Sequence, residues 1–255
     1  MRKFYSLLAL LLFTGVIFVS CDKDDDTEPQ EKKFVPVKIS EYEEGVFDGE
    51  IMYEYDANNR LIKNEYEDGY FTTYEYDNDN RLSKSNIFEE DSLYMYEVYE
   101  YNSSNQLIKI QTYNYKNEAG SYYTNEYDAN GNVIKKTEYD STGSLVLYFT
   151  FSYDENSNVI NKKYFWADYQ TGEVSTDEYE EWIFTYDDMN NIHKSLGFPF
   201  LWYTFVNNTL TTTYTEHYGD NFTETYTNTY VYNEDDYPTE YTEETEKYII
   251  EYKEI

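Results

Sequence analysis

Carboxylates dominate the chemistry this chain could offer, with 51 Asp and Glu side chains in 255 residues. A pair of carboxylates about 5–10 Å apart can hydrolyse a glycosidic bond. With so many acids, some pair meets any spacing, so abundance singles out none. Two short runs are more specific. Asp128, Asn130 and Asn132, and again Asp154, Asn156 and Asn158, follow the alternation that opens a calcium loop. The Glu that would close such a loop, eleven residues after the first Asp, is replaced by Tyr139 in one run and Phe165 in the other. Ordinary turn chemistry, in which an Asp or Asn oxygen accepts a local backbone N–H, accounts for both runs. Weak calcium binding across stacked acidic turns is the functional reading. His193 and His217 are the only histidines and Cys21 the only cysteine. A zinc site needs more nitrogen or sulfur ligands than that, so both histidines read as strand or surface residues. No Gly-x-Ser-x-Gly, His-Glu-x-x-His or phosphate loop occurs. The expectation is a non-enzymatic protein with no cofactor.

Aromatic residues offer a second kind of chemistry. Trp166, Trp182 and Trp202 could stack on sugar rings, although tryptophans in strands more often fill a core. The segment Phe198-Pro199-Phe200-Leu201-Trp202 is the most apolar stretch inside the chain, and Pro199 places it at an edge or in a loop. Phe198, Phe200 and Trp202 are therefore the first candidates for a ligand patch.

A repeat positions these groups. Tyr-Asp or Tyr-Asn anchors stand at Tyr55, Tyr76, Tyr101, Tyr127, Tyr153, Tyr186 and Tyr232, and Phe205-Val206-Asn207-Asn208 reads as a degenerate eighth. Two residues earlier lies an aromatic in all but one unit, across a residue that is usually polar. That alternation is the period of a strand with one buried face, and Tyr and Thr favour strands. Four residues after the anchor come Asn59, Asn80, Asn105, Gly131, Ser157 and Asn190, mostly types that accept the left-handed backbone of a tight turn. The next strand then resumes at Leu61, Leu82, Leu107, Val133, Val159 and Ile192. Lysines recur in phase at Lys63, Lys84, Lys109, Lys135 and Lys194. Gly-containing turns, from Asp48-Gly49 to Gly219-Asp220, close each unit. Eight units predict an all-β meander of about 16–18 antiparallel strands.

The unit resembles the YD repeat of the Rhs/teneurin class, Tyr-Asp-x-x-Gly-Arg-Leu. Tyr55-Asp56-Ala57-Asn58-Asn59-Arg60-Leu61 and Tyr127-Asp128-Ala129-Asn130-Gly131-Asn132-Val133 are near copies, with Asn replacing the turn Gly in most others. The resemblance covers residues 50–195 well and the last 60 residues poorly. Large Rhs shells enclose toxins, a role for which this chain is too short.

The amino terminus predicts export. Arg2 and Lys3 precede an apolar run, Phe4 to Val19, too short for a membrane span of about 20 residues and suited to a cleaved signal. Phe18-Val19-Ser20-Cys21 resembles a lipobox, which implies lipid attachment at Cys21. The acidic run Asp22-Lys23-Asp24-Asp25-Asp26 resembles the surface-export signal of Bacteroidota lipoproteins. With the repeats, the chain resembles a Bacteroidota lipoprotein family with a porin-like barrel fold. The organisation expected is a signal peptide over 1–20, an acidic lipidated tether over 21–36 and one β-repeat domain over 37–255. Removing the signal takes away two of 19 basic side chains and no acids, so the formal charge moves from −32 to −34. Such a field repels nucleic acid.

An open sheet of this length would leave edges that aggregate, so a closed or flattened barrel is expected. Its aromatic face points inward if the barrel stands in water and outward if it spans a bilayer as a pore. Glu97 and Glu180 share the aromatic phase, and the chain ends Tyr252-Lys253-Glu254-Ile255 without a terminal aromatic; both features favour water. The sequence thus predicts a lipid-anchored outer-membrane protein at the cell surface that binds a glycan or protein. A carboxylate hydrolase and an integral pore are the alternatives.

Overall fold

The computed structural model describes residues 33–168, 171–174, 179–192, 196 and 205–255. The signal segment, Cys21, His193, Lys194 and the patch residues Phe198, Phe200 and Trp202 lie outside the described residues. The sheet begins with β1 (Phe34–Glu43), β2 (Val46–Tyr55), β3 (Leu61–Tyr66), β4 (Tyr70–Tyr76) and β5 (Leu82–Glu89). Next come β6 (Ser92–Tyr101), β7 (Leu107–Asn114), β8 (Ala119–Tyr127), β9 (Val133–Tyr139), β10 (Leu145–Tyr153) and β11 (Val159–Trp166). It ends with β12 (Glu180–Tyr186), β13 (Thr209–Glu216), β14 (Phe222–Tyr232), β15 (Pro238–Glu243) and β16 (Glu246–Glu254). Each strand pairs antiparallel with its sequence neighbours, and β16 returns to β1, so the sixteen strands form a closed barrel. Closure leaves no sheet edge unpaired.

Each Tyr-Asp turn repeats one set of bonds. Asp56 Oδ1 accepts the backbone N–H groups of Asn58 and Arg60 at 2.9 Å, and Asn59 stands at φ 59°. Asn80, Asn105, Gly131 and Ser157 occupy the same left-handed place in the following turns, as the spacing predicts. Where the next strand resumes, a β-bulge recurs beside every anchor, as where Glu54 faces Lys63 but Tyr55 faces Leu61. A bulge leaves main-chain groups outside the ladder. The anchor tyrosine supplies a partner: Tyr76 Oη donates to the Leu61 carbonyl at 2.8 Å, Tyr101 to Leu82 at 2.9 Å, Tyr127 to Leu107 at 2.7 Å and Tyr153 to Val133 at 2.7 Å. Anchor hydroxyls thus clasp the backbone of the preceding hairpin.

The eighth unit is not where the pattern put it. Ile192 does not restart a strand after Tyr186, and Phe205-Val206-Asn207-Asn208 is not an anchor. Asp187 N donates to Asn208 O at 3.1 Å and Asn208 N to Asp187 Oδ1 at 3.0 Å. Those are the bonds Asp56 makes with Arg60, here joined across an insertion, and β13 starts at Thr209. The missing unit is split between the two ends of the domain. Tyr252 faces Pro36 and Glu251 faces Lys38 across a bulge placed as in the other units. Tyr252 Oη donates to Pro238 O at 2.7 Å, while Tyr55 donates to Pro36 O at 2.6 Å. Phe34–Pro36, grouped with the tether by composition, belong to β1. Two Gly turns also move: Gly49 lies within β2 and Gly120 within β8. A Cβ on Gly120 would stand 2.6 Å from Thr112 Oγ1, so close strand packing explains that glycine.

Aromatic rings occupy both faces of the sheet, which the sequence reading did not separate. Anchor rings and those two residues before them face inward with Leu61, Leu82, Leu107 and Val159, which are at most 6% exposed. Burial raises the inner phenols above their usual range, Tyr101 and Tyr230 to about 12. Rings five residues before the anchor face outward. There Phe71 stacks on Phe88, Tyr96 on Tyr113, Tyr122 on Tyr139 and Tyr148 on Phe165, with centroids 4.6–4.9 Å apart. The in-phase lysines cover them, with Lys84 Nζ 4.3 Å from the Tyr96 centroid and Lys135 Nζ 4.5 Å from that of Tyr148. Those same lysines face Glu54, Glu75, Glu100 and Glu126 at 3.7–4.0 Å. Farther round, threonines replace this rib, paired as Thr185–Thr211, Thr213–Thr225 and Thr215–Thr223.

Candidate binding site

One group of polar side chains on the inner face lies around β8 to β13, joined by Glu97 of β6. In β8, Asn125 stands where other units carry an aromatic, and across the ladder it faces Lys136. Its Nδ2 donates to Leu107 O at 2.9 Å, while its Oδ1 is the buried side-chain atom without a partner among the described residues. Lys136 is 1% exposed, with Nζ 4.0 Å from the Tyr123 ring centroid. Burial lowers its pKa to about 6 against the opposing pull of Glu97 and Glu138. Glu97, in phase with the anchor rings as the sequence predicts, accepts from Tyr99 Oη at 2.6 Å and from Ser85 Oγ at 3.1 Å.

Toward the mouth the lining becomes a chain of rings. Phe149 meets Tyr164 at 5.1 Å, Tyr164 meets Trp166 at 5.6 Å, Trp166 meets Tyr218 edge-on at 5.5 Å, and Trp182 meets Tyr214 at 5.2 Å. Tyr218 is 36% exposed, so this lining reaches water. Lys162 reaches across it, its ammonium 3.7 Å from the Trp182 centroid and 5.7 Å from that of Phe149. Burial brings the Lys162 pKa down to about 8, while Glu180 favours its charge. Glu180 and Glu216 face each other across adjacent strands. Like charges directly opposite are unfavourable, and burial followed by the Glu216 charge raises the Glu180 pKa. Tyr214 Oη donates to Glu216 Oε1 at 3.0 Å.

The other sequence candidates separate. The calcium-like turns stay apart from this cluster, and their Asp oxygens are engaged locally, while Asn158 Oδ1 accepts from Val206 N and Asn207 N at 2.8 and 2.9 Å. Asp128 Oδ1 accepts from Asn130 N and Asn132 N, and Asp154 Oδ1 from Asn156 N and Asn158 N, at 2.8–2.9 Å. Asn132 and Asn158 also turn their Nδ2 groups toward Asp128 Oδ2 and Asp154 Oδ2, a donor where a metal would need an acceptor. No group of three or more His, Cys, Asp or Glu among the described residues is arranged to hold a metal. His217 lies on the outer wall, its ring stacked on Tyr179 at 4.3 Å and its Nε2 3.1 Å from Glu181 Oε2. Trp166 and Trp182 prove to be mouth residues as well as packing residues. At the Tyr-Asp end a cavity of about 170 Å³ is lined by Ile39, Phe205, Asn208, Tyr230 and Glu243, which is smaller than ordinary ligand pockets.

The cluster was partly visible in sequence. Glu97 and Glu180 in the aromatic phase were a signal, and so was Asn125 replacing a ring. Lys136, Lys162 and Glu216 were missed, because a lysine or glutamate in a strand reads as a solvated residue until its neighbours are known.

The fold and the repeat together define a class. The RHS repeat family model matches residues 54–86, from the end of β2 into β5. The chain is similar to a porin-like protein from Bacteroides uniformis ATCC 8492, with 14% identity over 86% of this chain and 98% of that one and a TM-score of 0.56. It is also similar to a porin-like protein from Bacteroides vulgatus ATCC 8482, with 11% identity over 87% and 99% and a TM-score of 0.45. A further likeness is to the Photorhabdus luminescens Tc holotoxin pore, at 13% identity over 78% of this chain but 10% of that one, with a TM-score of 0.32. No curated protein matches the sequence. The chain is a closed all-β barrel with an RHS repeat match over residues 54–86, and it resembles the porin-like protein from Bacteroides uniformis in fold.

Proposed function

We propose that this chain is a lipid-anchored, water-borne barrel on the outer membrane that binds a protein or glycan at the cell surface and does not turn it over. The observation that carries the reading is the outer wall. A membrane barrel presents an apolar band about 25 Å tall, and a basic residue at its middle costs roughly 2–4 kcal/mol. Here hairpin after hairpin carries a Glu–Lys pair, and the strands beyond carry threonines. Such a wall supports a barrel that stands in water, for which an anchor at Cys21 would be the attachment. No described helix is long and apolar enough to cross a membrane, which leaves strand crossing to be judged by this wall alone. The exposed aromatic mouth supports binding.

Cys21→Ala without the lipid is expected in the soluble fraction without detergent. Retention that only detergent reverses would instead support the integral pore. Silence on glycan and peptide arrays, with every tryptophan shielded from an added quencher, would remove the binding reading. A carboxylate-based glycan hydrolase is the second reading, favoured by Glu180 facing Glu216 with a raised pKa. It requires glycan turnover that is lost in both Glu180→Gln and Glu216→Gln.

A further inference from the structure

We propose that the mouth formed by β9 to β13 is a site for primary ammonium groups, and that its ligand is the lysyl side chains of a basic peptide segment. This deepens the binding reading above and rests on it. Three observations point the same way. First, the aromatic walls already hold an ammonium, because Lys162 Nζ lies 3.7 Å from the Trp182 centroid. Ring faces attract cations through their quadrupole, more strongly where water is excluded. Lys162 is in this sense an internal occupant that marks what the wall prefers.

Second, the acids outnumber the lysines that face them, with Glu97 and Glu138 acting on Lys136, Glu180 acting on Lys162, and Glu216 opposite Glu180. Glu180 and Glu216 oppose each other on neighbouring strands, and the charges of Glu138 and Glu180 both act on Tyr164 between them. A neutral glycan would leave this repulsion in place and an acidic glycan would add to it, whereas a cation relieves it. The acids are also too dispersed to gather three around one metal ion among the described residues. Separated carboxylates suit successive lysyl side chains along a peptide, each on a flexible stem that can lie along a ring while its head finds a carboxylate. Third, the formal charge of −32 draws cationic chains toward the barrel from a distance.

The test uses the full-length mature chain and its tryptophan fluorescence, titrated with trilysine, fully acetylated trilysine, spermidine and cellohexaose at low and high salt. Trilysine is expected to saturate the signal and acetylated trilysine to leave it unchanged. Glu180→Gln and Glu216→Gln should each weaken trilysine at least tenfold, while Glu54→Gln with Glu75→Gln, both on the outer wall, should stay within twofold. Lys162→Met should bind trilysine about threefold tighter or more, a gain that a purely structural lysine would not produce. Equal loss in the outer-wall control would reveal unspecific charge attraction and overturn the proposal. Spermidine binding more tightly than trilysine would overturn the peptide assignment. A response to cellohexaose with trilysine silent would overturn this inference and leave the binding reading standing. The acetylated peptide keeps the test decisive on wild-type protein if a mouth variant fails to fold, since equal binding of both peptides would sink the idea.

Discussion

At the scale of single residues, the anchor tyrosine does two jobs. Its ring fills the interior and its hydroxyl supplies a partner for a carbonyl beside the bulge. Tyr127→Phe keeps the ring and removes the bond to Leu107 O, and should cost about 0.5–1.5 kcal/mol in denaturant unfolding. Asn105, at φ 62°, is a second residue set by its backbone, and its Oδ1 also accepts an exposed bond from Arg81 Nη1 at 2.8 Å. Asn105→Ala should cost about 1–2 kcal/mol, whereas Asn105→Gly should lie much closer to wild type because glycine accepts that backbone freely. Lys136 shows how a residue type can mislead. In an unfolded chain its amine titrates near 10.4, and in the barrel at about 6. Between those values the unfolded state holds a proton that the folded state lacks, so stability gains with rising pH through that window. Lys136→Met should remove this dependence. The difference in unfolding free energy between wild type and variant should therefore change by up to about 1.4 kcal/mol per pH unit between roughly pH 6 and 10.

At the scale of elements, the unit of construction is a hairpin with an Asx-closed turn, a bulge beside the anchor and a tyrosine clasp onto the hairpin before it. Repetition along the chain makes these clasps a ring, and the ring has one join. β16 and β1 supply two halves of one unit, held by the Glu251–Lys38 ion pair and by the Tyr252 ring against Phe34. Deleting residues 246–255 should therefore do more than shorten a strand. It removes the partner of β1 and exposes two edges at once. The expected outcome is loss of the wild-type peak in size exclusion and strong self-association. A deletion variant that kept the wild-type elution volume and circular dichroism would contradict a join at this place. The outer rib of stacked rings and lysines belongs to this scale too. Its charge pairs are exposed, and pairs of that kind contribute little individually, so the rib matters mainly as a surface that keeps the wall polar.

At the scale of the whole molecule, the inner face concentrates phenols that resist ionisation. In the unfolded chain tyrosine titrates near 10. In the barrel, burial raises Tyr101 and Tyr230 to about 12 and pushes Tyr53, Tyr74 and Tyr241 higher still. Below about pH 10 both states keep these protons. Above it the unfolded chain releases them first, so stability present at neutral pH falls as pH rises toward roughly 12. Alkaline unfolding should be cooperative and should coincide with the tyrosinate absorbance of the inner-face rings, the part of the signal that exposed tyrosines such as Tyr94 and Tyr115 do not supply. Tyrosinate absorbance that reached its full unfolded-state amplitude near about pH 10 with the fold intact would mean that the inner rings are wet.

The repeat made the strand period, the turn residues, the in-phase lysines and an all-β closed barrel legible in the sequence, because each depends on neighbours a few residues away. Alternation reports which residues share a face, and Asp, Asn and Gly report backbone geometry directly. What lay beyond reach depended on residues distant in the chain. The split unit required β16 to meet β1, and the insertion after Asp187 hid the true restart at Thr209. Alternation puts rings five residues before the anchor on the opposite face from those two before it. Which of two aromatic faces meets water was decided only when the sheet closed and lysines from the neighbouring strand covered the outer one. The ionic character of Lys136, Lys162 and Glu180 was likewise set by tertiary placement, since burial and the charge on a neighbouring strand shift a group's protonation and no local pattern encodes either.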